Sequence, residues 1–173
     1  MDRERRESWR TRLMRWGFNL LPTYWSTGGR ITFVAADWRE VRVRLPLSWR
    51  TRNYVGTIFG GSMYGALDPM FMVMLIKLLG RGYVVWDKAA TIRFLRPGRT
   101  TLRATFRIDE ATTDAIRAEL ETADKLERRF TVELTDADGK VHAVVDKLLH
   151  IRRKAAAAPV ATTPGPPDRP TAA

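Results

Sequence analysis

VRVRL (Val41–Leu45) alternates apolar and basic residues with period two. That is the mark of an antiparallel strand with one face on a core and the other in water. ITFVAAD (Ile31–Asp37) reads as a strand beside it, and AATIRFL (Ala89–Leu95) and TLRATFRI (Thr101–Ile108) repeat the alternation, joined by the turn RPGR (Arg96–Arg99). RRFTVEL (Arg128–Leu134) and KVHAVVDKLLHI (Lys140–Ile151) flank DADG, in which Asp138–Gly139 is a strong hairpin signal. Between the second and third strands the period changes. The stretch NYVGTIFGGSMYGALDPMFMVMLIKLLG (Asn53–Gly80) is apolar almost all round and predicts a helix from Gly60–Gly61 to about Leu79, buried on most faces. Pro69 should kink it, and the carbonyl it disrupts belongs to Gly65, which has no Cβ to crowd the bend. Near the N-terminus, residues 2–21 fit an amphipathic helix: Trp9, Leu13, Trp16 and Leu20 recur at helical spacing, with Arg6, Arg10, Arg12 and Arg15 largely off that stripe. Thr112–Lys125 fits either a short exposed helix or a strand running into a loop.

The resulting class is α+β. One antiparallel sheet must wrap the long helix, because no other helix is apolar enough to cover the sheet. Strand order alone does not separate this arrangement from other α+β folds. The chain divides into three regions: an N-terminal helix and linker over residues 1–29, the sheet-and-helix domain over 30–153, and a Pro- and Ala-rich tail over 154–173 whose composition predicts disorder.

Composition narrows the function. With 173 residues, 45% of them hydrophobic, the chain suits one globular domain. It has no cysteine, which excludes disulfides and thiolate metal sites. A formal net charge of +11 would attract nucleic acid, anionic headgroups or a phosphate-bearing ligand such as coenzyme A. The arginines are scattered, however, and no recognition motif accompanies them, so no nucleic-acid partner is expected. Nothing resembles a signal peptide, and the apolar run Met70–Ile76 is short against the ~20 residues of a membrane span. A cytoplasmic location is the expectation. The Trp9–Leu20 stripe is expected to dock on its own domain, with a weak membrane-surface contact as the alternative.

Asp68 is the sharpest chemical feature. Its helical neighbours Tyr64, Gly65, Phe71, Met72 and Leu75 include no cation, and a carboxylate in such surroundings is costly to bury. Burial disfavours the charged form of a carboxyl group, which suits a general acid or base. The plainer reading is an Asp–Pro pair that bends the helix and caps the segment after the bend. Gly60–Gly61 would leave amides free at a helix start, where they stabilise a developing oxyanion, although many such pairs are only turns. Asn53 in a loop is ordinarily a turn residue. Arg93, Arg96 and Arg99 could meet coenzyme A phosphates or simply form a solvated strand face and turn. His142 and His150 lack metal-ligand spacing and read as structural, so no metal is expected. Neither G-x-G-x-x-G nor a Walker A loop occurs, and no cofactor is implied.

NYVGTIFGGSMYGALD resembles the active-site stretch of hotdog-fold acyl-CoA thioesterases of the phenylacetate-degradation type: Asn, a short loop with Gly, His–Gly–Gly, then an acid on the central helix. Ile31–Ile151 as a whole also resembles a less characterised hotdog family with an F-G-G…D-P helix start and a following W-D-K, matched here by VVWDKAATIRFLRPG. The resemblance implies a hotdog fold and a thioester substrate. It implies that the amide of Gly60 or Gly61 polarises the thioester carbonyl, that Asp68 acts as nucleophile or as base for water, and that Asn53 orients the thioester or the water. It further implies a site shared between subunits, with the acid donated by the neighbour, and hence a homodimer or a tetramer built from dimers. Two positions depart from the pattern. Phe59 stands where those relatives have His, and Asp87, beside Lys88, stands near their water-positioning Ser or Thr. Asp87 close to Asp68 would raise the pKa of one of the two by like-charge repulsion, an effect that Lys88 could offset.

The leading function is therefore acyl-CoA thioester hydrolysis. A protein that holds acyl-CoA or another lipid-like acyl chain without turnover is the alternative, since PMFMVMLIKLL would suit such a chain. A hotdog dehydratase ranks lower, because Phe59 occupies the region where its histidine belongs.

Overall fold

The computed structural model describes residues 5–154. In chain order the elements are α1 (Trp9–Leu20), α2 (Pro22–Trp25), β1 (Arg30–Val34), β2 (Glu40–Leu45), α3 (Gly60–Gly65), α4 (Met70–Leu79), β3 (Tyr83–Phe94), β4 (Leu102–Arg107), α5 (Glu110–Thr122), β5 (Lys125–Thr135) and β6 (Val141–Arg153). The strands form one six-stranded antiparallel sheet in the order β1-β2-β4-β5-β6-β3. It wraps the central helix α3–α4, the hotdog arrangement that the resemblance implied. The expected tail from 155 onward lies outside the described residues.

The alternating strands turn their apolar positions onto that helix. Val43, Leu45, Phe106, Leu134 and Leu149 from the sheet join Met63, Leu67, Phe71, Met74 and Leu75 from the helix in one buried cluster. Phe71 sits edge-on to Phe106 at 4.9 Å and stacks on Phe130 at 4.8 Å. Removing a Leu, Met or Phe side chain of this kind from water contributes roughly 1.5–3 kcal/mol. Taken together, Gly60–Leu79 are 20 residues, long and apolar enough to cross a bilayer, yet here they form the core helix with half of the apolar window buried in the fold.

Several boundaries differ from expectation. β3 begins six residues before Ala89 because Tyr83–Lys88 already pairs with β6, and its register shifts between Asp87 and Ala89. A bulge of this kind breaks the period-two pattern that sequence reading relies on. The ambiguous segment after β4 is a helix. Asp109 accepts a hydrogen bond from the Thr112 amide at 2.7 Å as its N-cap, and Thr113, Ile116 and Leu120 face inward at helical spacing. α1 starts at Trp9 instead of residue 2, with Ser8 and Thr11 forming a reciprocal cap.

α1 also docks by the opposite face from the one expected. The inward side carries Thr11, Arg15, Phe18 and Asn19, and it closes the outer edge of β1 with polar contacts. The Asn19 amide donates to the Ile31 carbonyl at 2.9 Å and accepts from the Ile31 N–H at 2.8 Å. Glu7 accepts from the Val34 N–H at 3.3 Å and is itself held by Arg15 at 2.8 Å. Trp9, Leu13, Trp16 and Leu20 point away from the domain.

Candidate functional site

The central helix breaks where Pro69 predicts. α3 ends at Gly65, and the amides of Leu67 and Asp68 both bond to the Tyr64 carbonyl at 2.9 Å, which tightens the turn before α4 resumes at Met70. The break presents the Asp68 carboxylate at the bend. Its Oδ1 accepts from the Tyr64 hydroxyl at 2.6 Å and from Lys147 Nζ at 2.6 Å. Lys147 comes from β6 and also meets Asp87 Oδ2, from β3, at 3.1 Å. One lysine therefore bridges two carboxylates, leaving the group one negative charge in excess.

Two expectations about this group are corrected. Asp68 is neither sealed in apolar surroundings nor without a cation: its side chain is 42% exposed, and its counter-charge lies 79 residues along the chain on β6. The fully buried member is Lys147, at 1% exposure. Burial alone would push the Lys147 pKa down, but the hydrogen bonds and charges of Asp68 and Asp87 outweigh it and hold the lysine above its ordinary value. Burial pushes the Asp87 carboxyl up from its ordinary range; Lys147 opposes this, while the Asp68 charge adds to it. Asp87 Oδ1 is buried and has no hydrogen-bond partner among the described residues. Lys88 does not offset Asp87. It falls at the β3 bulge and pairs with Glu127 on the exposed side.

The loop before α3 assembles a second group. The Asn53 side chain is engaged in its own turn: Nδ2 donates to Thr57 Oγ1 at 2.9 Å, and Oδ1 accepts from the amides of Val55 and Thr57 at 3.1 and 2.9 Å. Phe59 is the N-cap of α3, and no side chain caps that helix, so its first amides lack intrahelical acceptors. Exposed aromatic rings cover the two glycines. A Cβ on Gly60 would come within 2.9 Å of Phe94, and one on Gly61 within 2.3 Å of Phe59. Asn53, Gly60, Met63, Phe94, Leu95 and Arg96 line an open groove at this point. Asp68 lies eight residues beyond Gly60, about 12 Å along a helix at 1.5 Å per residue. It borders a different groove, between the helix break and Leu21, Tyr24 and Thr27.

The arginines separate. Arg96 lines the groove and donates to the Val141 carbonyl at 2.6 Å, and Arg99 is exposed on the turn before β4. Arg93 lies on the outer face, paired with Asp146 at 2.6 Å. His142 is buried and satisfied by the Pro97 carbonyl at 3.2 Å and Asp136 at 3.0 Å, while His150 stacks on Trp86 at 4.2 Å.

Sequence reading missed Lys147 and Tyr64. The signal for Lys147 is parity: Ala143, Val145, Lys147, Leu149 and Ile151 share the inward face of β6. A lysine in phase with four apolar residues calls for a buried anion, and Asp68 is the acid that lacked a cation on its own helix.

Solved structures resemble this fold. A Pseudomonas aeruginosa protein of unknown function, PA5026, named a probable thioesterase, superposes with a TM-score of 0.73 at 23% identity, covering 83% of this chain and 96% of that one. Thioesterase HI1161 from Haemophilus influenzae gives 0.62 at 12% identity, covering 86% and 94%. A Chlorobaculum tepidum protein of unknown function, OLEI01261, gives 0.67 at 15% identity, covering 84% and 95%. A search of curated proteins finds no match. A family model does match, over residues 10–151, and takes in both the Asp68–Lys147 group and the Gly60–Gly61 loop. The chain is thus a hotdog-fold protein that belongs to the family described as Domain of unknown function (DUF4442).

Proposed function

We propose that this chain hydrolyses acyl-CoA thioesters, in a site built from two copies of itself. The observation that carries the reading is the presentation of Asp68 at the helix break. Both of its side-chain hydrogen bonds fall on Oδ1, and the carboxylate as a whole is partly open to water. Tyr64 and Lys147 fix its position, as a group that must attack a carbonyl or take a proton from water requires.

The thioester carbonyl sits at the amides of Gly60 and Gly61, which stabilise the oxyanion that forms on it. Asp68 is about 12 Å along the helix from those amides, so the acid that reaches the carbonyl is the Asp68 of a second copy. β3 is the sheet edge that makes this pairing natural: it is 12 residues long and bonded on one side to β6, whereas the edge of β1 is closed by α1. Asp68 takes a proton from water as the oxygen adds to the carbonyl carbon. The tetrahedral intermediate then collapses and the C–S bond breaks as the protonated Asp68 returns its proton to the sulfur, so that coenzyme A leaves as the thiol, the acyl group leaves as the carboxylic acid, and the carboxylate is regenerated. Arg96, which lines the groove, and Arg99, exposed on the turn that follows, are the cations for the coenzyme A phosphates. The reading takes the chain to act in the cytoplasm.

Release of free thiol from a panel of acyl-CoA esters tests this, with Asp68→Asn beside wild type. The substitution keeps the shape and the Tyr64 contact, and turnover should fall by at least ~100-fold, the lower range for loss of a general base. Equal rates would refute the catalytic role. Light scattering should give a dimer or a tetramer, and a stable monomer at micromolar concentration would refute the shared site.

A second reading, acyl-CoA or lipid binding without turnover, is favoured by Phe59 in place of His and by the engagement of the Asn53 amide in its own turn. Binding of acyl-CoA by wild type with no thiol release would select it.

A further inference from the structure

α1 has its polarity reversed relative to an ordinary surface helix. Such a helix puts its apolar stripe on the core and its polar face in water. Here the face that meets the sheet carries Arg15, Phe18 and Asn19; its hydrogen bonds to the strand edge come from Asn19 and from Glu7 just before the helix, which Arg15 holds, and Phe18 is its one large side chain packed on the core. The outward stripe is Trp9, Leu13, Trp16 and Leu20, exposed by 71%, 65%, 58% and 70%. It continues beyond the helix into exposed Leu21 and Trp25. Four large apolar side chains at i, i+4, i+7 and i+11 are not scattered surface residues; they form one band that something must cover.

The charges beside the band say what covers it. At 100° per residue, Arg10 and Arg12 fall on opposite flanks of the stripe, and both are exposed. The Arg10 guanidinium lies 5.4 Å from the Trp9 ring centroid, and that of Arg50 lies 3.6 Å from the Trp25 ring centroid. Tryptophan and leucine with an arginine on either flank match the layering of a bilayer surface, with acyl chains below and phosphate headgroups beside. A second copy of this chain fits the same face poorly. In a two-fold contact through the stripe, arginine flanks would face arginine flanks on two chains that each carry a formal net charge of +11.

We propose that the outward face of α1, extended by Leu21 and Trp25, docks on an anionic lipid surface, with the apolar stripe inserted at the headgroup boundary. This does not depend on the thioesterase reading.

Vesicle co-sedimentation of the full chain tests it. Vesicles of phosphatidylcholine alone are compared with phosphatidylcholine mixed with phosphatidylglycerol. Wild type should pellet with the mixed vesicles, and added salt should weaken the binding. Leu13→Gln/Trp16→Gln should lower the binding constant at least ~10-fold, the equivalent of burying one large apolar side chain. Arg10→Gln/Arg12→Gln should lower it roughly 5-fold per arginine, and on mixed vesicles only. All four side chains are exposed, and the Arg12–Glu7 ion pair at 3.6 Å is a long surface pair that contributes little beside the Arg15–Glu7 bond at 2.8 Å, so circular dichroism and melting should stay close to wild type. The proposal is overturned if wild type stays in the supernatant, or binds both vesicle types equally. It is also overturned if the Leu13/Trp16 variant pellets as wild type does. Should that variant instead change the oligomer mass in light scattering, with no vesicle binding by wild type, the face belongs to a second copy and the lipid proposal fails.

Discussion

Replacing Lys147 by methionine removes the cation shared by Asp68 and Asp87 while keeping a side chain of similar length, so the main effect is electrostatic. Taking one partner from a fully buried ion pair costs about 3–5 kcal/mol, because the other charge is left without compensation. Asp87 and Asp68 retain 23% and 42% side-chain exposure, so water carries part of that load and about 2–3 kcal/mol is expected. For a chain of this size that corresponds to a fall of about 4–12 °C in melting temperature. The folded Asp87 carboxyl titrates above its ordinary value of 3.8, so its proton is bound more tightly in the folded state. The resulting stabilisation is present at low pH and is lost as pH rises through the folded value. Without Lys147 the folded value rises further, and ionised Asp87 costs more. Urea unfolding of the variant should therefore show its largest deficit at neutral pH and a smaller one as pH falls into the carboxylate range. Lys147 itself titrates above its ordinary 10.5, so its contribution holds below that value and is lost as pH rises through the folded one. Asp87→Asn on the Lys147→Met background should restore about 1 kcal/mol or more. A variant within about 0.5 kcal/mol of wild type at neutral pH, or a deficit independent of pH, would refute the assignment of Lys147 as the bridge.

Two further outcomes test the fold that carries the site. Glu40 is buried between Arg42 at 2.7 Å and Arg107 at 3.2 Å; burial pushes its carboxyl up, and the two guanidinium groups pull it below its ordinary 4.5. Glu40→Gln should cost about 1–3 kcal/mol by urea unfolding at neutral pH; the gap should begin to narrow near that ordinary value, where the unfolded chain takes up the proton, and close only as pH falls through the lowered folded value. Gly29→Ala would bring its new Cβ to 2.6 Å from Ala66 Cβ and 3.2 Å from Ala66 Cα, atoms that belong to the buried start of the helix break and have no flexible end to move. A loss of about 1–3 kcal/mol is expected, and an unchanged melting curve would show that the turn into β1 does not press on the helix.

The hydrophobic pattern carried most of this architecture, because antiparallel strands with one wet face must alternate. β2 and β4 are legible for that reason, and DADG marks the last hairpin, with Gly139 at φ 78 and its amide bonded to Asp136. β3 was half legible. Its alternation fails at the bulge, so the portion that carries Asp87 looks like a loop. Asp68 was legible as an oddity, and its surroundings were not: Lys147 and Asp87 reach it through strand register, which no local window contains. α1 was legible as a helix with a stripe, but the stripe does not say which side meets the domain. Asn19 and Glu7 decide that by bonding to a strand edge, and hydrophobicity does not register such contacts.

Those same contacts set the valence of the sheet. A sheet with two open edges can grow from both and has no natural size. In this chain the side-chain amide of Asn19 imitates a neighbouring strand toward Ile31, and the Glu7 carboxylate occupies the Val34 N–H, so β1 has little left to offer. β3 keeps its outer row of donors and acceptors. Among the described residues the sheet thus keeps one open edge, and in the two-copy site proposed above strand pairing through it would have nowhere further to extend. Two residues on a short N-terminal segment decide whether the sheet offers a neighbour one edge or two.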